Sequence, residues 1–204
     1  MTTLPVCKRN CGVAMLATLA LASPASAEPR THDGVYFQGT LGAGFMSTAG
    51  GGQSLRGAAA LESLSVGGTP FPGLALGASS LGAIGISPSG KLAAGTASDP
   101  SAPHDPSLSI VLLGPFADYY LDPHAGFHVQ AMVGYALVSA RQSSDPNASD
   151  PRGLGFSLGL GQEAWVGDDW SVGVLGRFTL ALPRYHDVSY PTFAPGIVAS
   201  FTCH

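Results

Sequence analysis

One stretch near the middle of the chain alternates between two kinds of side chain, and this alternation constrains the fold more than any other feature. Residues 126–140 read GFHVQAMVGYALVSA, and from Phe127 to Leu137 the odd positions carry Phe, Val, Ala, Val, Tyr and Leu. The even positions carry His, Gln, Met, Gly and Ala. Successive side chains of a β-strand point to opposite faces, so the stretch predicts a strand with one apolar and one mixed face.

Seven further segments have strand character. In the sixth segment, Leu and Phe alternate with Gly, Ser and Glu163, and in the seventh, Val, Phe and Leu oppose residues such as Arg177 and Thr179. These patterns predict an all-β chain. The eight predicted strands cover approximately residues 34–46, 55–66, 73–86, 108–120, 126–140, 154–166, 170–182 and 192–203.

The connections between these segments are of two kinds. The second, fourth and sixth are short, whereas the first, third, fifth and seventh are longer and polar. The third, SPSGKLAAGTASDPSAPHDPS, and the fifth, RQSSDPNASDPR, concentrate Ser, Asp and Pro, which suit solvated loops. Short turns alternating with long loops are typical of outer-membrane barrels, in which the short turns face the periplasm. The sequence therefore predicts an eight-stranded antiparallel up-and-down transmembrane β-barrel with longer extracellular loops.

The N-terminus has the organisation of a secretory signal peptide. Lys8 and Arg9 precede an apolar run from Gly12 to Ala22, and Ala25-Ser26-Ala27 is a small-x-small cleavage site. An uncleaved anchor would need about 20 apolar residues. We therefore expect residues 1–27 to be removed by cleavage after Ala27 and residues 28–204 to form the barrel domain.

The composition helps to decide which face of the strands meets water. Charged residues make up 11% of the chain, against roughly 25% in soluble domains, and 28 of the 204 residues are glycine. In a soluble barrel or sandwich, the glycine-rich face would be the solvent surface and would lack lysine. In a membrane barrel, the bulky apolar face meets lipid and the small residues fill the narrow interior. The second arrangement explains both observations, and we favour it.

The charged residues of the strands fit the same arrangement. Four charged residues fall on the strand face opposite the bulky apolar side chains, where charges can be paired and hydrogen-bonded. They are Asp118, His128, Glu163 and Arg177. Folding the chain about its turns brings Asp118 near His128 and Glu163 near Arg177, which predicts an interior polar network. The alternation of the second strand is interrupted by three consecutive alanines and does not decide the facing of its charged residues, Arg56 and Glu62.

Aromatic residues near the strand ends predict a membrane-interface girdle, because an amphipathic ring suits the headgroup region. Ordinary β-propensity is the alternative explanation for any single ring. The predicted interface residues are Phe37, Phe45, Tyr119, Phe127 and Tyr135.

Other motifs carry little weight. The sequence GTLGAGF at 39–45 lies inside a strand and is not followed by a helix, so it does not predict a dinucleotide site. Asp99, His104 and Asp105 fit a solvated loop better than a metal site. The mildly acidic chain has no basic cluster, which argues against nucleic acid as a partner. We expect no cofactor and no metal.

Several segments resemble a known family. The sequences HDGVYFQGTLGAGF, GGTPFPGLALG, GPFADYYLDPHAGFHVQ and WVGDDWSVGVLGRFTL are similar to small outer-membrane β-barrels in the style of the OmpA transmembrane domain, and more narrowly to uncharacterised myxobacterial barrels. The resemblance implies an outer-membrane location, contact with lipid and lipopolysaccharide, and insertion by the barrel-assembly machinery. Strands of this family end in a terminal aromatic residue, whereas this chain ends Phe201-Thr202-Cys203-His204.

These observations predict a monomeric structural or surface-interaction protein without catalytic activity. Two alternatives stay open. One is a lipid A-modifying hydrolase, for which His186-Asp187-Val188-Ser189 offers the one local His and Ser pair. The other is a narrow conduit for small or hydrophobic solutes.

Overall fold

A computed structural model describes residues 30–50, 52–91, 107–141, 151–185 and 188–204. The predicted signal peptide and most of the third and fifth connections lie outside these residues. Within them, no helix is long and apolar enough to cross a membrane. The strands are β1 (Gly34–Gly50), β2 (Gln53–Phe71), β3 (Leu74–Lys91), β4 (Ser107–Tyr120), β5 (Phe127–Arg141), β6 (Arg152–Trp165), β7 (Trp170–Tyr185), β8 (Val188–Ser189) and β9 (Thr192–Cys203).

Eight of these strands form a closed antiparallel barrel. Each long strand pairs with its neighbour in the sequence, and β9 closes the sheet by pairing with both β7 and β1. The two-residue β8 pairs only with the end of β7 and is not a ninth strand of the barrel wall. The predicted eight-stranded antiparallel barrel is confirmed.

The two ends of the barrel differ. We call the end that contains the β2–β3, β4–β5 and β6–β7 turns and both ends of the described chain the turn end, and the opposite end the loop end. At the turn end, Phe71 pairs with Leu74 across a two-residue turn, where Gly73 has a φ of 83° that favours glycine. The prediction of a long first connection is wrong, because β1 and β2 remain paired as far as Gly50 and Gln53.

The strands are tilted relative to the barrel axis. Following paired residues from Tyr36 across β2 to β7 leads to Ala194 on β9, and the adjacent Phe193 pairs with Ser47 on β1. One circuit therefore moves the register from position 36 to position 46, which is a shear of ten residues. With a rise of about 3.3 Å per residue and a strand spacing of about 4.8 Å, this shear gives a tilt of about 40°.

Bulky apolar side chains point outward, as the alternation predicts. On β6 and β7, Leu158 is 60% exposed and Phe178 is 45% exposed, whereas their sequence neighbours Ser157 and Thr179 are buried. A soluble barrel would place the bulky side chains inside, so this arrangement is that of a barrel with an apolar exterior. Arg56 and Glu62, whose facing the sequence did not decide, are both on the outer surface.

The interior changes in character along the barrel axis. Buried polar and aromatic side chains occupy the turn end, Arg177 lies further along, and large apolar side chains fill the loop end. This apolar layer was not predicted, because the sequence pattern emphasised the small and charged residues of the inward face. Its principal members are Met46, Leu55, Leu108, Ile110 and Val138.

Candidate functional site in the barrel interior

The polar residues at the turn end form one connected group, which we call the interior polar cluster. All of its members point inward and are at most 9% exposed. It contains two of the predicted charged residues as hydrogen-bonding centres, one on β4 and one on β6. The cluster consists of Tyr36, Gln38, Asp118, Tyr120, His128, Gln130, Glu163, Ser171, Ser200 and Thr202.

The first centre is the Asp118 carboxylate. The β4–β5 hairpin pairs Tyr120 with His128, so Asp118 and His128 lie diagonally across the two strands on the inward face. His128 Nδ1 lies 2.7 Å from Asp118 Oδ1, and both side chains are fully buried. Tyr36 donates its hydroxyl to Oδ2 at 2.7 Å, and Gln130 Nε2 donates to the same oxygen at 3.3 Å. The structure therefore brings Asp118 and His128 together, as the sequence predicts.

The second centre is the Glu163 carboxylate, which has five side-chain donors. Three hydroxyls lie close: Ser171 at 2.6 Å from Oε2, and Ser200 and Thr202 each at 2.8 Å from Oε1. Two longer bonds complete the shell, from the Tyr120 hydroxyl at 3.2 Å and Gln38 Nε2 at 3.3 Å. The donors come from β1, β4, β7 and β9, so this one carboxylate connects strands from distant parts of the barrel wall.

Amide side chains connect the two centres. Gln130 Nε2 donates to Gln38 Oε1 at 2.9 Å, while Gln38 Nε2 reaches Glu163. The Asp118 and Glu163 carboxylates are therefore linked by hydrogen bonds through two glutamines. Tyr120, which donates to Glu163, also stacks on His128, which contacts Asp118. Sequence alternation places both glutamines on the inward face but does not show that they bridge the acids.

The structure does not bring Glu163 and Arg177 together, so this predicted pairing is wrong. Arg177 lies opposite Gly159, whereas Glu163 lies opposite Gly173, four residues nearer the turn end. Arg177 Nη2 instead donates to Ser63 at 2.9 Å and Thr40 at 3.2 Å. Its Nε and Nη1 atoms are buried without a hydrogen-bond partner among the described residues.

Gly161 determines where the His128 ring can lie. It pairs with His128 across β5 and β6, and a Cβ added at Gly161 would overlap the His128 Nε2 atom. The ring therefore packs directly against the β6 backbone. Its Nε2 has no hydrogen-bond partner within the described part of the chain and lies 4.0 Å from Glu163 Oε1.

A short segment closes the turn end. Residues 30–33, which we call the closing segment, bind all three turns through the backbone. Arg30 donates to Asp168 at 2.9 Å, His32 donates to Pro123 at 2.9 Å, and the His32 carbonyl accepts from Gly73 at 2.7 Å. This segment therefore ties the three turns of the barrel to one another.

Histidine and aromatic rings pack beneath the closing segment. The His32 ring stacks on Tyr120, with centroids 3.5 Å apart, and on Trp165 at 4.5 Å. His32 Nδ1 lies 2.8 Å from His204 Nε2, a contact in which one ring donates and the other accepts. Sequence reasoning missed both histidines, because they lie outside the alternating strands.

Burial keeps these two histidines neutral at pH 7. Loss of solvation, with a smaller contribution from the adjacent His204, lowers the pKa of His32 from 6.5 to about 3. Loss of solvation likewise lowers the pKa of His204 to about 4, and His128 contributes in the same direction. The neutral pair can share the one proton that its hydrogen bond requires, whereas two protonated rings cannot.

The geometry of the cluster does not provide a nucleophile. Asp118 and His128 resemble two parts of a catalytic triad, but a triad needs a hydroxyl at the free His nitrogen. The nearby hydroxyls of Ser171, Ser200 and Thr202 all donate to Glu163 instead. Among the described residues, no group of three or more potential ligands is arranged to hold a metal ion.

Predicted residues outside the cluster are distributed as follows. The five aromatic residues proposed for the interface are between 39% and 52% exposed on the outer surface. Phe37, Tyr119 and Phe127 lie toward the turn end, and Phe45 and Tyr135 lie further toward the loop end. Their role at a membrane interface stays a prediction. Ser189 is exposed on β8, and His186 lies outside the described residues, as do Asp99, His104 and Asp105.

Comparison with known proteins identifies the class of fold. No protein-family model and no curated protein matches the sequence. Among solved structures, the chain is similar to Ail, the attachment invasion locus protein of Yersinia pestis, in complex with the heparin analogue sucrose octasulfate. The TM-score is 0.51 at 11% identity, covering 82% of this chain and 99% of Ail.

A second solved structure has the same architecture. The chain is similar to Neisserial surface protein A, with a TM-score of 0.52 at 14% identity, covering 83% of this chain and 96% of that protein. Both are small eight-stranded outer-membrane β-barrels. At these identities the likeness establishes the fold, and the chain therefore has the fold of a small outer-membrane β-barrel.

Proposed function

We propose that the protein is an integral outer-membrane barrel that acts as a closed scaffold and presents its extracellular loops to molecules outside the cell. The observation that carries the proposal is the combination of an apolar exterior with an interior occupied by side chains along its length. An apolar outer face suits lipid, and a filled interior suits a support better than a general porin, which needs about 16 strands.

The location follows from the same proposal. Residues 1–27 would direct export and be cleaved after Ala27, and the barrel-assembly machinery would insert the remainder. The exposed aromatic residues at the two levels of the barrel would contact phospholipid and lipopolysaccharide near the membrane surfaces. The turn end would face the periplasm, with its closing segment and interior polar cluster sealing the barrel.

The loops are the proposed contact surface, since binding residues are disproportionately found on loops held by a rigid scaffold. The Ail structure contains a polyanionic sugar, but the loops of this chain do not favour such a ligand. The third and fifth connections contain Asp99, Asp105, Asp145 and Asp150 against Lys91 and two arginines. We infer that a neutral or basic surface suits these loops better than a polyanion.

Planar-bilayer recording tests the closed scaffold. The purified protein is expected to insert without steady single-channel currents, because the interior polar cluster and the apolar layer leave no continuous aqueous path. Steady currents of uniform size would contradict the proposal and would favour the conduit. A variant with Tyr36 and Tyr120 at the turn end and Leu108 and Ile110 in the apolar layer all replaced by alanine is the matched control, since opening both levels should increase leakage.

Mass spectrometry of lipid A separates the scaffold from a lipid-modifying enzyme. Overexpression of the protein is expected to leave the lipid A spectrum unchanged. A new lipid A species that disappears with His186→Ala or Ser189→Ala would overturn the non-enzymatic proposal.

A further inference from the structure

The outer surface of the barrel has two unlike sides. Around the middle of β5, β6 and β7, the outward residues are bulky, as in Val133, Leu158 and Phe178. The outward positions at the same depth on β1, β2 and β3 are instead mostly small. We call this side the small-residue face; it includes Gly39, Ala43, Ala58, Ala60, Ala78, Ser80 and Gly82.

A carboxylate lies in the middle of the small-residue face. Glu62 is exposed, and it pairs with Leu41 on β1 and Gly82 on β3. Its side chain lies over Gly82, since a Cβ added there would come within 2.8 Å of Glu62 Oε1. No side chain or backbone donor among the described residues forms a hydrogen bond or ion pair with it.

Glu62 lies at mid-depth rather than at a membrane surface. Its partner Leu41 is four residues from Phe37 on one side and four residues from Phe45 on the other, so Glu62 lies between the two aromatic levels. An unpartnered carboxylate facing lipid at this depth is unfavourable. In contacts between membrane helices, by contrast, small residues beside a polar group let the backbones approach closely, and we expect the same of small residues on barrel strands.

We propose that the small-residue face is the contact between two copies of this chain, in which the Glu62 carboxylate accepts a hydrogen bond from the Ser80 hydroxyl of the other copy. The proposal rests on the membrane insertion proposed above. It departs from the monomer expected from the sequence, because the outward facing of Glu62 was not predictable from the alanine-rich strand.

The register of the barrel supports this pairing. Ser80 lies on the strand next to Glu62, two residues from Gly82 toward the turn end. With a tilt of about 40°, the two side chains are about 8 Å apart around the barrel and within about 2 Å in depth. A twofold axis along the membrane normal, midway between them, places each Glu62 beside the other copy's Ser80 and gives each carboxylate one hydroxyl donor.

The same axis separates the two carboxylates and fits the shape of the surface. Leu64 and Gly82 lie close to the axis. Each is displaced from Glu62 toward Ser80 by about half of the distance that separates Glu62 and Ser80 around the barrel. A groove of ≈ 640 Å³ runs across this region and is lined by residues that include Leu41, Glu62, Leu64, Ser80 and Gly82. Leu41 and Leu64 are the bulky members of this face, and the small residues around them leave a groove into which a second barrel can pack more closely than on the bulky side.

Cysteine cross-linking in isolated outer membranes tests the proposal. The full-length chain, with its three natural cysteines replaced by serine, carries Leu64→Cys, and Leu158→Cys on the bulky side is the matched control. The two leucines are similarly exposed, at 51% and 60%. Mild oxidation is expected to convert most of the Leu64→Cys protein into a covalent dimer and the control into at most a trace of dimer.

Variants of the hydrogen-bonding pair test its chemistry. Adding Glu62→Leu or Ser80→Ala to Leu64→Cys is expected to reduce the rate of cross-linking at least about tenfold, whereas Glu62→Gln retains an acceptor and is expected to retain cross-linking. Equal cross-linking of Leu64→Cys and Leu158→Cys, or an unaltered rate with Glu62→Leu, would overturn the proposal.

Two other outcomes distinguish a failure of the proposed dimer from a failure of the proposed membrane insertion. An inserted, heat-modifiable monomer that retains a lipid only when Glu62 is present would overturn the dimer and show that a lipid occupies the groove. A protein recovered in the soluble fraction would overturn the proposed function together with the dimer. Insertion is therefore measured on every sample, which separates the two failures.

Discussion

Replacing Glu163 with leucine removes the acceptor on which five side-chain donors converge. Leucine has a similar volume but no oxygen, so Ser171, Ser200, Thr202 and Tyr120 each lose a partner inside the barrel. The strands β1, β4, β7 and β9 then lose the shared acceptor that connects them at the turn end. Glu163→Leu is therefore expected to destabilise the barrel strongly.

The size of the effect follows from the hydrogen bonds. A hydrogen bond to a charged group contributes about 1.5–3 kcal/mol, and three of the five donors lie at 2.6–2.8 Å. Neighbouring hydroxyls can partly re-pair with one another, and contributions within one network are not additive. A buried donor left without a partner costs about 1–3 kcal/mol, so with partial re-pairing of the five neutral donors we expect a total loss of about 3–5 kcal/mol.

Urea unfolding of the lipid-reconstituted protein measures this loss. Both tryptophans of the chain, Trp165 and Trp170, lie at the turn end, so their fluorescence reports unfolding where Glu163 acts. Glu163→Gln keeps one acceptor oxygen and is expected to lose less than Glu163→Leu. A loss below about 1 kcal/mol for Glu163→Leu would refute the reasoning, because buried donors cannot be left unpaired at so low a cost.

Arg177→Met provides the matched control. Two of its donor atoms have no partner in the described structure, so its removal is expected to change the unfolding free energy by less than about 1 kcal/mol or to stabilise the barrel. Because Arg177 does not contact Glu163, the double variant is expected to be additive within about 0.5 kcal/mol. A larger coupling energy would show that the two residues are paired after all.

Two further predictions concern the turn end. Gly161→Ala is expected to displace His128 and to cost about 1–3 kcal/mol in the same unfolding assay, whereas the outward Gly176→Ala, whose added Cβ would meet only ordinary contacts, is expected to change stability little. The folded pKa values of His32 and His204 are depressed, so the closed turn end is fully stable above about pH 6.5 and loses stability as pH falls toward 4 and 3. The protection factor of the closing segment, which is the hydrogen-exchange rate corrected for the slower intrinsic exchange at low pH, should therefore fall on acidification. A protection factor that is constant over this range would contradict the assignment.

The sequence predicted most of the fold because a barrel strand has a simple two-residue period. Phe127 to Leu137 and the two following strands present one bulky and one small face, and the structure turns the bulky face outward. The ends of β1 and β2 were missed, since Ser, Gly and Gln there have weak strand propensity and are held by pairing with each other. Local composition does not reveal such pairing.

Long-range register explains the parts of the site that the sequence could not show. Asp118 and His128 are joined by one short hairpin, so their proximity could be predicted. Glu163 and Arg177 are also joined by a hairpin, but four residues of offset separate them. Four of the five donors to Glu163 come from the more distant strands β1, β4 and β9. Contacts across the barrel depend on its shear, which no single hairpin specifies.

The residues at the two ends of the barrel domain lie beyond any periodic pattern. His32 and His204 are 172 positions apart in the chain, yet their rings lie within hydrogen-bond distance. Glu62 follows the run Ala58-Ala59-Ala60, which lacks the contrast in side-chain size needed to assign an outward face. The closure of the barrel brings the two histidines together, and the pairing of β2 with β1 and β3 turns Glu62 outward.

Cell fractionation followed by gel electrophoresis tests the central claim most directly. If the outward apolar face contacts lipid and the barrel is closed, the mature protein will be found in the outer membrane. It will also resist SDS without heating and change its mobility when boiled. Recovery of the protein in the periplasm or medium without detergent, with identical mobility before and after boiling, would contradict the claim.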